Sequence, residues 1–271
     1  MAVPLDSASS RAVCAERVLI SEKIPYIIPG FHPVRENLLR ETTRIQELWI
    51  AEGKRPGRAG EIVRLARERG IPVCVKKAIE MSRLFPDVAH QGFMAFAEPF
   101  RYAPLDSLIT GSIRCPGASL LVALDHITDE GNLGSLIRTA AFFGAQGLVI
   151  PKDRAAGVSP RVLKRSAGAY VHLPVTKVVN MARTLALLEK EGFWILGASG
   201  ESRETIYDFE CDRDLVLVLG NEQRGLSRAV RKRCHQQVRI PATGRVESLN
   251  VAVAGGVALS EIARQRALAG R

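Results

Sequence analysis

The sequence has 271 residues, 46% of them apolar and 24% charged, which is the composition of a soluble globular protein with one or two domains. We expect a cytoplasmic protein that makes no membrane contact, because no apolar run reaches the roughly 18 residues of a membrane span and charges interrupt the N-terminus where a signal peptide is apolar. The five scattered cysteines argue against a disulfide framework and a metal site, and the net charge of +10 favours nucleic acid as the partner, with a merely solvated basic surface as the alternative.

The N-terminal part of the chain is predicted to contain a flexible segment (1–25), a small α/β domain (26–98) and a linker (99–118). Apolar periodicity within the domain predicts strands over 45–51, 71–75 and 93–97 and helices over 59–69 and 78–84. Residues 99–118 are rich in Pro, Gly and Ser and lack strong periodicity, and we therefore interpret them as a linker.

The second half of the chain (119–271) is predicted to be a larger α/β domain. Strands are expected over 120–124, 147–150, 194–196, 215–219 and 238–240, and helices over 133–143, 160–168, 181–191, 226–233 and about 249–267. This alternation is typical of a mostly parallel sheet that is covered by helices on both faces.

Three polar clusters follow predicted strands of this sheet, over 129–134, 219–225 and 240–250, and Arg138 lies in the otherwise apolar helix after the first. In open parallel sheets, ligands bind beyond the carboxyl ends of the strands, so these clusters are candidate site loops. The alternative is structural: Asn132 and Ser248 could be helix caps, and the glycines could serve only turns. The glycine-rich motif of dinucleotide folds, the Walker phosphate loop and the hydrolase serine elbow do not occur.

The three clusters also carry a family resemblance. NLGSLIRTA (132–140), LVLGNEQRGLS (217–227) and IPATGRVESLNVAVAGGVAL (240–259) closely resemble the three motifs of the SpoU–TrmH family of RNA 2′-O-ribose methyltransferases, in the SPOUT superfamily. GFHPV (30–34), HQG (90–92) and PKDRAAG (151–157) resemble the branch whose bacterial members methylate guanosine 2′-hydroxyls of 23S ribosomal RNA.

This resemblance implies a smaller, ribosomal-protein-like RNA-binding domain followed by a parallel sheet with a trefoil knot. It further implies a homodimer, S-adenosylmethionine as the methyl donor, and RNA as the substrate. The implied catalytic residues are Arg138, Asn132, Glu222, Ser248 and Asn250, and the implied cofactor contacts are Gly197, Ala198, Gly220, Ile240 and Leu249. Because a guanidinium is rarely deprotonated, we expect Arg138 to bind a phosphate and stabilise the developing alkoxide.

Basic side chains at helical spacing are candidate phosphate contacts, with a solvated helix face as the alternative. They are Arg161, Lys164 and Arg165 on one predicted helix and Arg224, Arg228 and Arg231 on another. The chain departs from the resembled branch at Asp125-His126, where that branch often has Asp-Gly, and at Gln223-Arg224, which leaves the RNA preference open. A transfer-RNA ribose methyltransferase and a non-catalytic RNA-binding factor remain the alternative functions.

Overall fold

The computed structural model describes residues 26–40, 43–113, 117–245 and 248–270, so the predicted flexible segment 1–25 lies outside the described residues. The chain divides into two compact units. The first comprises the described residues up to Arg101 together with Ser159–Val171, and the second comprises the described residues of Tyr102–Val158 and those from His172 onwards.

The secondary structure alternates between strands and helices in both units. In chain order the elements are β1 (Tyr26–Pro29), α1 (Phe31–Arg40), β2 (Ile45–Ala51), α2 (Pro56–Glu68), β3 (Val73–Lys76), α3 (Ala78–Leu84), β4 (Phe93–Ala97), α4 (Leu105–Ile113), β5 (Leu120–Asp125), α5 (Glu130–Phe142), β6 (Gly147–Pro151), α6 (Pro160–Arg165), a 3-10 turn (Ala169–Val171), β7 (Val175–Val178), α7 (Met181–Lys190), β8 (Trp194–Ala198), β9 (Leu215–Gly220), α8 (Arg228–Arg231), β10 (Gln236–Val238) and α9 (Val251–Leu268).

The first unit is built on a four-stranded sheet with the order β1-β4-β2-β3. Strands β1 and β2 are antiparallel to β4, and β3 is parallel to β2. Trp49 and Phe96 are almost fully buried and pack edge to face, with ring centroids 4.7 Å apart, at the centre of the core. The predicted bounds of β2, α3 and β4 are confirmed.

Strand β1 and helix α1 were not predicted. The apolar face of α1 is interrupted by Asn37, which is nevertheless buried. Its side-chain amide donates to the carbonyl of Pro33 (2.9 Å) and to the hydroxyl of Tyr170. Asn37 can be buried because its hydrogen bonds are satisfied inside the core. Apolar periodicity does not predict α1, because that pattern counts only apolar residues as buried positions.

The second unit contains a six-stranded sheet in which every pair of neighbouring strands is parallel, with the order β10-β8-β9-β5-β6-β7. All six residues of β5 are buried, as are the first five of β9, because helices cover both faces of a parallel sheet. The predicted parallel sheet is confirmed, and its carboxyl ends form one edge where loops from distant parts of the chain meet. The trefoil knot stays a prediction.

Several predicted bounds in this unit are wrong. The predicted linker contains α4, whose Leu108 packs so closely on Gly147 that a Cβ there would lie 2.4 Å from Leu108 Cδ1. Strand β7 was missed because it is short and carries the exposed Lys177. Strand β10 ends at Val238, before Ile240, and helices α6 and α8 are shorter than predicted. No helix in the described part of the chain is long and apolar enough to cross a membrane.

Candidate active site

The loop between β5 and α5 provides the first polar group of the site. Asp125 at the end of β5 is 1% exposed; its carboxylate accepts a hydrogen bond from the backbone N–H of Ser227 (2.6 Å) and lies 2.8 Å from Nδ1 of His126. Asp129 caps α5 by accepting from the backbone N–H of Asn132 (2.7 Å). Asn132 is therefore not the cap, and its side-chain amide can bind elsewhere.

The loop after β9 is a closed turn organised by Asn221. The backbones of Asn221 and Gly225 hydrogen-bond in both directions, at 3.0 and 2.9 Å. The side chain of Asn221 accepts from the N–H groups of Gln223 and Arg224 and donates to the carbonyl of His126 (2.8 Å). This turn holds Glu222 outward. Asn221 was absent from the predicted site, although its place in the second motif was the available signal.

The side chains of Asn132, Glu222 and Asn250 form one hydrogen-bonded chain. Asn132 Nδ2 donates to Glu222 Oε1 at 3.0 Å, and Asn250 Nδ2 donates to Asn132 Oδ1, also at 3.0 Å. Asn250 also caps α9, because its Oδ1 accepts from the N–H groups of Ala252 (2.9 Å) and Val253 (3.4 Å). The cap is Asn250 rather than Ser248, and the three polar loops meet at the carboxyl edge of the sheet.

Arg138 stands apart from this hydrogen-bonded chain. It is exposed and makes no hydrogen bond or ion pair among the residues that the structure describes. It follows Asn132 by six positions, which places it about 120° round α5 and about 9 Å along its axis. Phe142, one turn beyond Arg138, is 81% exposed on the same side of the helix. Ser248 is exposed and lies two residues before Asn250.

Gly197, Ala198, Gly220 and Ile240 lie at or just beyond the ends of β8, β9 and β10, whereas Leu249 lies two residues before α9. The strand register places Gly197 beside Val218 and Gln237, and it places Gly220 beside Asp125. Ala198 ends β8, Ile240 follows β10 and is partly exposed, and Leu249 is 51% exposed. Exposed apolar side chains next to strand ends can cover a flat ring while the backbone binds its edge, so these residues fit an adenosine group.

The two glycines among the expected contacts are required by packing of the chain itself. A Cβ on Gly220 would lie 2.3 Å from the carbonyl carbon of Gly225, so the turn after β9 could not fold back. A Cβ on Gly197 would lie 2.8 Å from both Cys234 Sγ and Leu226 Cδ1. Close approach of chain segments at this edge therefore explains both glycines without a ligand.

The predicted phosphate contacts fall into two groups. Arg161, Lys164 and Arg165 lie on α6, which belongs to the first unit. Arg228 and Arg231 bound the short helix α8, but Arg224 lies in the turn before it, so the predicted common helical face is wrong. Arg231 forms an ion pair with Glu201 at 2.8 Å.

Two of the cysteines in the described residues are buried thiols with a raised pKa. Burial raises the pKa of the Cys234 thiol to about 11, and burial likewise raises the pKa of Cys211 to about 11, so both thiols stay protonated near neutral pH. No group of three or more His, Cys, Asp or Glu side chains in the described ranges could hold a metal ion.

Comparison with known proteins identifies two families along the chain. The family described as RNA 2′-O ribose methyltransferase substrate binding matches residues 27–103, and the SpoU rRNA Methylase family matches residues 119–260. The 23S rRNA (guanosine-2′-O-)-methyltransferase RlmB of Pseudomonas aeruginosa is 38% identical, over 88% of this chain and 95% of that protein. The protein of the same name from Coxiella burnetii is 36% identical over the same shares.

A solved structure agrees with these matches. The SpoU methyltransferase AviRb from Streptomyces viridochromogenes superposes with a TM-score of 0.75 at 26% identity, covering 91% of each chain. Its complex with the cofactor AdoMet superposes with a TM-score of 0.76 at 24% identity, covering 93% of this chain and 97% of that one. The fold, the family matches and the relatives agree, and the chain belongs to the SpoU rRNA methylase family.

Proposed function

We propose that this chain transfers a methyl group from S-adenosylmethionine to a ribose 2′-hydroxyl of RNA, and that the acceptor is a guanosine of 23S ribosomal RNA. The observation that carries the proposal is the hydrogen-bonded chain of Asn132, Glu222 and Asn250, which joins all three motifs at one edge of a parallel sheet. Relatives named for 23S rRNA guanosine support the choice of substrate. Ribosomal RNA as substrate implies that the enzyme acts in the cytoplasm.

The residues of the chain position and stabilise the reacting groups. S-adenosylmethionine supplies an electrophilic methyl group on a sulfonium. The hydrogen bonds from Asn132 and Asn250 fix Glu222, whose Oε2 has no hydrogen bond among the described residues and can accept one from the 2′-hydroxyl. The permanently charged guanidinium of Arg138 binds a neighbouring phosphate and stabilises the oxygen as negative charge develops on it. Ser248 shapes the loop before Asn250.

A homodimer is part of this proposal, because Arg138 leaves α5 on a different face from Asn132. Helices α5 and α9 pack closely: a Cβ on Gly255 would lie 2.5 Å from Leu136 Cδ2. Phe142 on α5 is 81% exposed and Val253 on α9 is 53% exposed. Large exposed apolar side chains are typical of an interface. We propose that a second copy packs against these exposed side chains and supplies its Arg138 to Asn132, Glu222 and Asn250 of the first copy.

Mixing inactive variants tests whether the site is shared between copies. Arg138→Ala and Glu222→Ala are each expected to be inactive as homodimers. If Arg138 acts in the opposite copy, each mixed dimer regains one intact site, so an equimolar mixture recovers about a quarter of wild-type activity by random pairing. No recovery, with mixed dimers verified by native mass spectrometry, would contradict a shared site.

The substrate is tested by mapping methylated positions on ribosomal and transfer RNA after incubation with the purified protein and labelled S-adenosylmethionine. We expect label at one guanosine of 23S ribosomal RNA. Label on transfer RNA alone would replace the ribosomal assignment with the transfer-RNA alternative. Label on neither RNA, together with no heat of S-adenosylmethionine binding in calorimetry, would favour a non-catalytic RNA-binding factor.

A further inference from the structure

A cavity of about 870 Å³ lies within the second unit, beyond the carboxyl ends of β5, β6 and β7. Its volume falls in the range of about 300–1,000 Å³ that small-molecule sites occupy. Its walls come from the loop after β5, the segment after β6, the start of α7 and the turn after β9. The cavity is therefore large enough for one nucleotide.

The cavity borders part of the hydrogen-bonded chain of Asn132, Glu222 and Asn250 but not the expected cofactor contacts. Asn132 and Glu222 line it, whereas Gly197, Ile240 and Leu249 do not. The strand order explains this division, because β5, β6 and β7 lie on one side of β9, and β8 and β10 lie on the other. If the cofactor binds at the ends of β8, β9 and β10, the cavity lies on the side left for the methyl acceptor.

Backbone strain marks the same cavity. Among the described residues, four that are not glycine have a left-handed backbone, and two of them, His126 (φ 60°) and Arg154 (φ 54°), line the cavity. Such conformations cost of order 1–3 kcal/mol each and persist mainly at functional sites. His126 is held by its carbonyl, which accepts from Asn221, and by its ring, which contacts Asp125.

Two polar side chains in the cavity have unused hydrogen-bonding groups. Asp153 makes no hydrogen bond or ion pair with the described part of the chain. Asn180 uses Oδ1 to cap α7 by accepting from Arg183 N (3.0 Å), which leaves its NH₂ group without a partner among the same residues. Asp153 lies two residues after Pro151 at the end of β6, and Asn180 lies two residues after Val178 at the end of β7. Pro151 and Val178 are paired in these neighbouring strands.

Together these groups complement guanine. A carboxylate only accepts hydrogen bonds, and the guanine Watson–Crick edge presents two adjacent donors, N1–H and the 2-amino group. The NH₂ group of an asparagine can donate to the neighbouring O6. None of the other three RNA bases offers two adjacent donors. Arg154 and Arg224, both exposed and lining the cavity, can bind the flanking phosphates.

We propose that this cavity holds the base of the methylated guanosine, turned out of the RNA stack, with Asp153 accepting from N1–H and the 2-amino group and Asn180 donating to O6. This inference rests on the proposed function and adds to it a base-reading site separate from the cofactor site. It makes Asp153 the residue that distinguishes guanosine from a base without the 2-amino group.

The test compares RNA fragments that carry guanosine or inosine at the mapped target position, because inosine lacks only the 2-amino group. We expect wild type to prefer guanosine by about 10-fold to 100-fold in kcat/KM, the range for one bidentate contact. Asp153→Ala, which removes both acceptor oxygens, should lose a similar factor on guanosine RNA, and its preference over inosine should fall to about 1. Asp106→Ala, an exposed control on α4, should behave as wild type.

A second variant and a binding measurement separate base reading from misfolding and from cofactor binding. Asn180→Asp keeps the capping oxygen but replaces the donor with an acceptor, so it should also lose about 10-fold or more on guanosine RNA at an unchanged Tm. S-adenosylmethionine affinity should stay within about twofold of wild type in both variants, since neither touches the cofactor.

An active wild type together with an Asp153→Ala variant that keeps the full preference for guanosine would overturn this inference and leave the proposed function intact. Loss of S-adenosylmethionine binding in either variant would assign the cavity to the cofactor and would also overturn it. A wild type that methylates no RNA would overturn the proposed function and this inference together.

Discussion

Polar side chains at the two edges of the six-stranded sheet differ in their hydrogen-bond partners. At the amino edge, Arg266 donates to the carbonyls of Ala118 (2.7 Å), Ser119 (3.0 Å), Cys211 (3.3 Å) and Arg213 (2.8 Å). The hydrogen bonds that define this edge are therefore made to the backbone. At the carboxyl edge, Asn132, Glu222 and the NH₂ group of Asn250 bond to one another, although Asn221 and the oxygen of Asn250 bond to the backbone, and Arg138 has no partner in the described ranges. Polar groups that the backbone does not use remain available to a ligand.

The largest effect on stability is expected from Arg266→Ala at the amino edge. It removes a charged donor that joins the end of α9 to the starts of β5 and β9 and leaves several carbonyls short of a partner. We expect the free energy of unfolding to fall by about 3 kcal/mol. Methyl transfer per folded molecule should stay within about threefold. Chemical denaturation measures the loss, and Arg64→Ala, which breaks an exposed pair with Glu68, is the control at under about 1 kcal/mol. Equal losses of unfolding free energy in the two variants would contradict the structural role of Arg266.

The opposite pattern is expected for Arg138→Ala at the carboxyl edge. Methyl transfer should fall by roughly 100-fold or more, the scale for losing one electrostatic stabiliser, while the Tm stays unchanged because the side chain is exposed and has no partner among the described residues. Single-turnover kinetics with saturating S-adenosylmethionine measure the effect. Near-normal turnover would refute the role of Arg138.

Asn250 is expected to contribute to both stability and activity, because its oxygen caps α9 and its NH₂ group binds Asn132. Asn250→Asp keeps the capping oxygen and loses only the donor, so activity should fall by about 10-fold without loss of stability. Asn250→Ala should lose the same activity and also about 1 kcal/mol of unfolding free energy. Thermal melts and the transfer assay separate the two roles, and a fully active Asn250→Asp would show that this hydrogen bond does not matter.

The smallest effect is expected in the first unit, away from both edges. Burial, and then the charges of Lys54 and Lys164, lower the pKa of His90 below 6.5, and its Nδ1 accepts from the N–H of Gly92 (2.9 Å). The unfolded chain therefore binds a proton on His90 more readily than the folded protein does. The contribution of neutral His90 to the free energy of unfolding is complete above about pH 6.5. It is lost as the pH falls through the lower pKa that His90 has in the folded protein. Denaturation between pH 7 and 5 should show a decline that is weaker in His90→Gln, and equal slopes would contradict this origin.

The sequence predicted the buried strands and the meeting of the three motifs, since long apolar runs and strand-end loops fix a parallel sheet. It did not predict α4 or α1, because Gly111 within α4 and the buried Asn37 in α1 interrupt patterns whose helices are held by tertiary contacts. The capping roles of Asp129 and Asn250 were also missed. A cap depends on where a helix begins, and periodicity locates that point only to within a few residues.

The most direct test of the proposed function is the chemical identity of the methylated product. After a single-turnover incubation with labelled S-adenosylmethionine, the RNA is hydrolysed with alkali and the nucleotide products are identified by mass spectrometry. Ribose 2′-O-methylation removes the hydroxyl that alkali uses to cleave the adjacent phosphodiester, so we predict label in an alkali-stable dinucleotide that contains 2′-O-methylguanosine. Label on a base, in alkali-labile mononucleotides, would contradict it.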